Sequence, residues 1–440
     1  MSTSAASLPP GPSLPRVLQT AGFLLGGVRF LEACRRRYGD VVRFSTLFDS
    51  SFVMVFDPTL VKQVFQGSGQ QLHAGEANAL LGPILGQRSV LLLDEGEHLR
   101  HRRLMLPAFH GARIQAYVDV MREAADMEID SWPVGEEFAL HPSMQSLTLT
   151  VIMRAVFGYR PGPAADELRR RLRAMVEPVV RPRGLMLLAA LARRGDPAAG
   201  TRFEEARRAV DEALFEEIAR RRAEDDLEER EDVFSALLLA KDEEGRLLSD
   251  QEVRDELLTL LLAGHETTAT GLAWTFDLLL HAPDVRERAT GADDEYLDAV
   301  VKESLRVRPV VPGVGRVVRG EPFALNGYVI PEGFEINPSI RVLHRRADLY
   351  PEPGQFRPDR FLGPDAPDTY TWIPFGGGVR RCLGASFALI EMRTVMSRVL
   401  ERADLRAASP EYDEPMFRGV TIAPRNGVRV IQDAPPVVVS

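Results

Sequence analysis

The sequence predicts a mainly α-helical chain with a small β-sheet region drawn from both ends. Three observations carry that prediction. Helical patterning dominates from about Gly96 to Val307, strand-like runs lie before and after it, and one long apolar segment runs from Ser249 to Leu280. No internal repeat or low-complexity linker divides the chain, so residues 1–440 are expected to form one catalytic domain behind a flexible, Pro-rich lead-in, residues 1–20.

That lead-in contains Leu8-Pro9-Pro10-Gly11-Pro12, a stiff extended stretch. The apolar run Ala21 to Leu31 is interrupted by Gly26, Gly27 and Arg29. It falls short of the roughly 20 apolar residues needed to span a bilayer. It also lacks the basic start and small-residue cleavage site of a signal peptide. No transmembrane anchor is expected. Strands are expected at Val41–Phe44 and Phe52–Val55, around Ala324 to Ile330, and at Val428 to Ile431.

The long helix opens on Ser249-Asp250-Gln251-Glu252, a Ser-x-x-Glu capping box. Pro283 follows its end. Leucines cover nearly all its faces, which predicts burial. The charged run Arg220 to Asp232 reads as a solvated helix end and its loop.

Composition bounds the function. The 440 residues carry a net charge of −9, with 45% apolar and 27% charged residues. This describes a soluble globular protein without the global basic field of a nucleic-acid binder. Cys34 and Cys382 are the only cysteines, so no disulfide framework holds the fold, which suits the cytoplasm.

Cys382 stands in Pro374-Phe375-Gly376-Gly377-Gly378-Val379-Arg380-Arg381-Cys382-Leu383-Gly384-Ala385. Three glycines allow a turn that side chains would block. Two neighbouring arginines should favour the thiolate, the nucleophilic and metal-binding form. Leu383, Phe387 and Ile390 then repeat at helical spacing, so the cysteine lies near a helix N-terminus. The bland alternative is a Gly-rich turn holding a buried, inert cysteine.

Inside the long helix, Ala263-Gly264-His265-Glu266-Thr267-Thr268 breaks local rules. Glycine costs about 1 kcal/mol there relative to alanine, and a buried carboxylate needs a partner. Such conflicts mark functional sites. A His-Glu-x-x-His zinc motif would need histidine at position 269, which is alanine. A kinked helix with hydroxyls bonded back to carbonyls is the plain reading.

The cysteine loop resembles the haem-binding loop of the cytochrome P-450 family, Phe-x-x-Gly-x-Arg-x-Cys-x-Gly, at Phe375, Gly378, Arg380, Cys382 and Gly384. The resemblance implies haem b with Cys382 as axial thiolate and Gly376 also against the cofactor. The helix motif resembles the family's oxygen-activation sequence. It implies that Ala263 and Gly264 leave room for dioxygen, that Thr267 hydrogen-bonds it, and that Glu266 relays protons. His265 takes no role.

Glu303 and Arg306, followed by Arg360, resemble the family's Glu-x-x-Arg pair with its third arginine. They would form a structural triad. His98 and Arg102, one helical turn apart, resemble the family's propionate-binding His-x-x-x-Arg, with Arg380 and Arg316 as further partners.

The implied function is a haem-thiolate monooxygenase that uses O2 and two external electrons to hydroxylate or epoxidise a lipophilic small molecule. Terpenoids, steroids, fatty acids and polyketide-like molecules are the classes expected, as in bacterial secondary metabolism. A peroxygenase or isomerase without a redox partner is the alternative. A non-catalytic haem carrier or sensor is the reading from another class.

Electrons would come from a separate ferredoxin or flavodoxin with its NAD(P)H reductase. Arg100, Arg103, Arg113 and Arg381 would form the docking face. By resemblance the pocket is walled by Leu80, Leu81, Ile84, Leu85, Val179, Val180, Leu262, Val310, Val311, Val314 and Val420. Gly184 to Leu191 reads as a buried helix face or an oily patch, and Arg181 and Arg183 as solvated charges. A monomer without nucleic-acid partners is expected.

Overall fold

A computed structural model describes residues 7–47, 51–109, 112–159, 162–180, 184 and 201–438. Seven helices position the site: α1 (Glu95–Met105), α2 (Ala112–Ile129), α3 (Leu140–Phe157), α4 (Pro163–Val180), α5 (Asp250–Leu280), α6 (Asp294–Val307) and α7 (Ala385–Arg402). The central helix α5 has 31 residues, about 46 Å at 1.5 Å per residue. Ser249 and Glu252 cap it reciprocally, as the sequence predicts.

Helix α5 lies along α3 and also packs on α6 and α7, while α7 packs on α2. The main apolar core forms among these helices, with Leu257, Leu261, Leu272 and Phe276 from α5 inside it.

One five-stranded sheet has the order β1–β2–β5–β4–β3. Its strands are β1 (Val41–Phe44), β2 (Phe52–Val55), β3 (Leu72–His73), β4 (Arg316–Val318) and β5 (Glu335–Pro338). β1 and β2 pair antiparallel with Val41 opposite Val55. β2 runs parallel to β5 with Phe52 opposite Glu335. The predicted strands at 324–330 form the hairpin Phe323–Leu325 with Tyr328–Ile330. The last predicted strand, Arg429–Gln432, pairs with Glu137–Ala139 and Leu405–Ala407. A further hairpin joins β6 (Pro415–Arg418) and β7 (Thr421–Pro424). It is fastened to α5 by Trp274 Nε1 donating to the Ile422 carbonyl at 2.8 Å.

Two expectations change. Arg221 is not a solvated helix-end charge. It is 1% exposed and donates to Asp232, Ser235 and the Phe157 carbonyl. Near the N-terminus the helical segment is longer than the interrupted apolar run. It covers Arg16–Tyr38, 23 residues, and is long and apolar enough to cross a membrane by length and composition. It is partly seated on the sheet: Leu31 and Cys34 are buried, and the Phe23 ring packs against Phe44 at 5.0 Å. Val17, Leu18, Leu24 and Leu25 remain exposed.

Candidate active site

The cysteine loop has its shape because of Phe65. A Cβ on Gly377 would lie 2.2 Å from the Phe65 ring, and one on Gly378 would lie 2.1 Å from the Phe65 carbonyl oxygen. Gly378 also has φ +64°, a conformation glycine adopts without penalty. The loop closes when the Cys382 amide donates to the Phe375 carbonyl at 3.0 Å. Phe375 packs edge-on to Trp372 at 6.0 Å.

Helix α7 begins at Ala385, after Gly384. Cys382 is exposed, although many protein atoms surround its thiol. Burial among protein atoms pushes its pKa up, opposed by the Gly384 amide and then by Arg102 and Arg381. The expected pair of activating arginines is therefore revised. Arg381 contributes, but Arg380 turns away to the carbonyls of Val90 and Leu93 and to the Asp94 carboxylate.

Arg380 shares a cavity of about 500 Å³ with His98, Arg316, Phe65 and Gly377. His98 is held down to about 3 by burial, then by Arg380, Arg102 and Arg316. Burial lowers Arg380 and Arg316 to about 10. The Arg316 side chain donates to the Gly315 carbonyl at 2.7 Å. Half-buried Arg102 has neither a hydrogen bond nor an ion pair among the described residues, and the nearby Cys382 raises its pKa against the larger lowering by burial. Three guanidiniums thus surround a neutral imidazole, and Asp94 pairs with one of them, Arg380. Desolvated cations without counter-charge are costly. This donor set fits a flat group bearing two carboxylates, and the exposed Cys382 beside Arg102 fits its metal.

On α5, Glu266 is buried and doubly held. Gln145 Nε2 on α3 donates to Oε2, and Arg418 Nε on β6 approaches Oε1 at 3.0 Å. The second contact is a charge contact without hydrogen-bond alignment, so Oε1 keeps an unfilled acceptor position. These groups border a cavity of about 250 Å³ that also touches Arg173, Val176, Leu262 and His265.

Ala263 is exposed in the middle of the helix, and the Thr267 hydroxyl donates back to the Ala263 carbonyl at 2.6 Å. Gly264 also faces α3: a Cβ there would meet Ile152 Cδ1 at 2.8 Å, so the glycine eases the packing of α3 on α5.

Glu303 and Arg306 form a fully buried bidentate pair, at 2.6 and 2.7 Å. Arg360 Nε adds a 3.3 Å contact to Glu303. Among the wall residues, Ile84, Leu85 and Val310 pack into the main core. Leu80 and Val420 are exposed, while Leu81, Val311 and Val314 are partly covered. The side chains of Val179 and Val180, the Arg113 side chain, and Arg181, Arg183 and Leu185–Leu191 lie outside the described residues.

Sequence reasoning missed Gln145, Arg418 and His344. Each bonds to a segment far away in sequence, and no local motif marks it. Asp94 had a signal, standing just before α1, but its carboxylate serves the Gly75 and Glu76 amides and Arg380 instead of capping the helix.

The docking face also differs from expectation. Arg100 is paired to Asp242 and Glu252, and Arg103 to Glu243. Arg381 is exposed and without an ion pair among the described residues.

Comparison with known proteins agrees with this geometry. The family model "Cytochrome P450" matches residues 9–428. The protein named "Putative cytochrome P450 135B1" in Mycobacterium tuberculosis is 41% identical over 442 residues, covering 97% of this chain and 92% of its own. Its companion named 135A1 is 40% identical, with 98% and 96% covered. Two solved structures share the fold at TM-score 0.82. Retinoic acid bound cyanobacterial CYP120A1 is 24% identical, covering 97% of this chain and 99% of its own, and the cytochrome P450DA heme domain is 23% identical, covering 98% of each. A helical fold around a cysteine loop, a cradle suited to a dianionic macrocycle and this likeness along nearly the whole chain place it in the cytochrome P450 family, the haem b-dependent, haem-thiolate monooxygenases.

Proposed function

We propose that this enzyme hydroxylates or epoxidises a lipophilic small molecule of the terpenoid, steroid, fatty-acid or polyketide class, in the cytoplasm. A separate ferredoxin or flavodoxin with its NAD(P)H reductase supplies the electrons. The observation that carries the cofactor assignment is the cationic cradle beside the exposed Cys382: Arg102, Arg316 and Arg380 surround His98, Asp94 pairs with Arg380, and Arg102 forms no ion pair among the described residues.

Cys382 would bind the haem iron as a thiolate, and His98, Arg102, Arg316 and Arg380 would hold the two propionates. Haem when bound would supply the activation of O2 and the transfer of one oxygen atom to substrate, chemistry that a thiolate ligand favours. The remaining steps belong to the chain. Thr267 holds a proton that it now donates to the Ala263 carbonyl and can redirect by rotation about χ1. Glu266 accepts and passes protons at Oε1, its unfilled acceptor atom.

The aliphatic residues that the family resemblance assigns to the pocket wall, Leu262, Val311 and Val314 among them, favour a lipophilic ligand. The intact acid–alcohol pair supports use of O2 over a peroxide-driven reaction.

The test is the carbon monoxide difference spectrum of the reduced protein, paired with ligand titration of the ferric form. A strongly red-shifted Soret band that is lost in Cys382→Ser supports the thiolate assignment. A band typical of histidine-ligated haem overturns it. Ligands that drive the iron to high spin identify the substrate class.

A further inference from the structure

We propose that the acidic turn Lys241–Leu247 is a built-in competitor for the electron donor: Glu243 occupies Arg103 where an acidic donor protein docks, and docking displaces it. This rests on the donor reading above. The turn is self-organised. Lys241 and Leu247 form a β-bridge, and Asp242 accepts the amides of Glu244 and Arg246 at 3.1 and 2.8 Å. Asp242 also anchors the turn to α1 by accepting Arg100 Nε at 2.7 Å.

Arg100 has two further commitments. It donates to Glu252 at 2.8 Å and to the Leu247 carbonyl at 3.3 Å, and only 15% of its side chain is exposed. It is a strut between α1, the turn and the start of α5, and is not available to a partner.

Arg103 is different. It sits one helical turn further along α1, 67% exposed, and its 2.6 Å contact is to Glu243, itself 77% exposed. Exposed pairs of this kind are worth between zero and about 1 kcal/mol, so exchange of Glu243 for a partner's carboxylate is cheap. Arg381 is exposed nearby, close enough to Arg102 to perturb it, and Arg102 in turn interacts with Cys382. Arg103 follows Arg102 on α1 and Arg381 precedes Cys382, and under this proposal the two exposed cations form one small patch on a chain whose net charge is −9. Such a patch steers an acidic protein to one place. Glu243 and Glu244 at its rim weaken that attraction and select donors with dense carboxylate patches.

The experiment uses the haem-loaded enzyme and an acidic [2Fe–2S] ferredoxin with its reductase. Binding is read from the ferredoxin-concentration dependence of the first electron transfer under carbon monoxide. Glu243→Gln is expected to lower the apparent Kd about 2–5-fold at low ionic strength, with the gain vanishing at high salt. Its haem content and carbon monoxide band are expected to match the wild type. Arg103→Glu and Arg381→Glu are expected to weaken binding. If these two weaken it while Glu243→Gln binds like wild type at low salt, the competitor proposal is overturned and the docking face stands. If neither charge reversal changes binding, the docking face itself is refuted.

Discussion

His344 connects the buried ion pair to the cysteine loop. Its ring Nε2 accepts the Ile373 amide at 3.0 Å, and its backbone carbonyl accepts Arg306 Nη1 at 2.8 Å. Ile373 immediately precedes Pro374 and Phe375, and Phe375 carries the carbonyl that receives the Cys382 amide. Glu303 thus acts on the cysteine through a chain of directional bonds. The same Arg306 also holds the Pro353 and Gln355 carbonyls.

Removing one partner of the buried pair should leave an uncompensated charge and cost about 3–5 kcal/mol. Glu303→Ala is expected to lose that much in urea unfolding, and to lose haem. Arg360 makes a 3.3 Å contact to Glu303 and donates to the Glu352 carbonyl at 3.0 Å, and its side chain lies nearer the surface than Arg306, so Arg360→Ala should cost less. Equal losses from the two variants would contradict this ranking.

The glycines of the loop are separable. Gly377→Ala collides with the Phe65 ring, a side chain, whereas Gly378→Ala collides with the Phe65 backbone and needs φ +64°. Phe65→Ala is expected to rescue part of the Gly377→Ala loss, with a coupling of about 0.5–3 kcal/mol. It should not rescue Gly378→Ala. Thermal unfolding of the double-mutant cycles measures both.

Acid should weaken the fold. His344 is held down to about 3 by burial first and Arg306 second. The unfolded chain binds this proton below about 6.5 while the folded chain does not. Its contribution is present above pH 6.5 and is lost as pH falls towards 3. His141, at about 4 and lowered chiefly by burial, acts in the same direction. His101 opposes them. Burial works against its charge, but Glu256 and then Glu252 outweigh burial and raise it, so its contribution is full below its ordinary value and fades as pH rises through the raised one.

His344→Gln keeps an acceptor for Ile373 but cannot titrate. Between pH 6.5 and 5 its stability profile should be flatter than wild type by about 2 kcal/mol. Urea midpoints at several pH values check this, and parallel profiles would remove His344 as a cause.

Glu266 should lose function when its proton-handling carboxylate is replaced. Glu266→Gln is expected to lower turnover about 10²-fold, with haem content retained. Thr267→Ala should retain haem and divert electrons to hydrogen peroxide, read as a higher peroxide-to-product ratio. Arg418→Leu should change that ratio without abolishing the carbon monoxide band. A ratio unchanged in Thr267→Ala would rule out its proposed role.

The parts of this molecule legible in the sequence are those with local signals. Ser249 and Glu252 set the start of α5, and Pro283 lies just past its end at the start of the next helix. Glu303 and Arg306 are three residues apart on one helix, so their spacing already places them together. The strands at 41–44 and 52–55 follow from their β-branched and aromatic runs.

The contacts that organise the site are long-range. Arg418 reaches Glu266 from a C-terminal hairpin, Gln145 reaches it from another helix, and the turn carrying Asp242 and Glu243 neutralises arginines that read as free from their own helix. Nothing in either segment alone specifies such a partner. Gly264 shows the converse, a residue inside a recognisable motif that also eases the packing of α3.

The β6–β7 hairpin has a consequence for how this enzyme can diversify. Phe417 and Val420 are exposed at its turn, while Arg418 in the same strand faces the acid of the central helix. Successive strand residues point to opposite sides, so under the proposed function one short ribbon would serve ligand contact and proton traffic together. Remodelling it for a new substrate would also retune how well electrons are spent on product, and the two traits would be inherited as a unit.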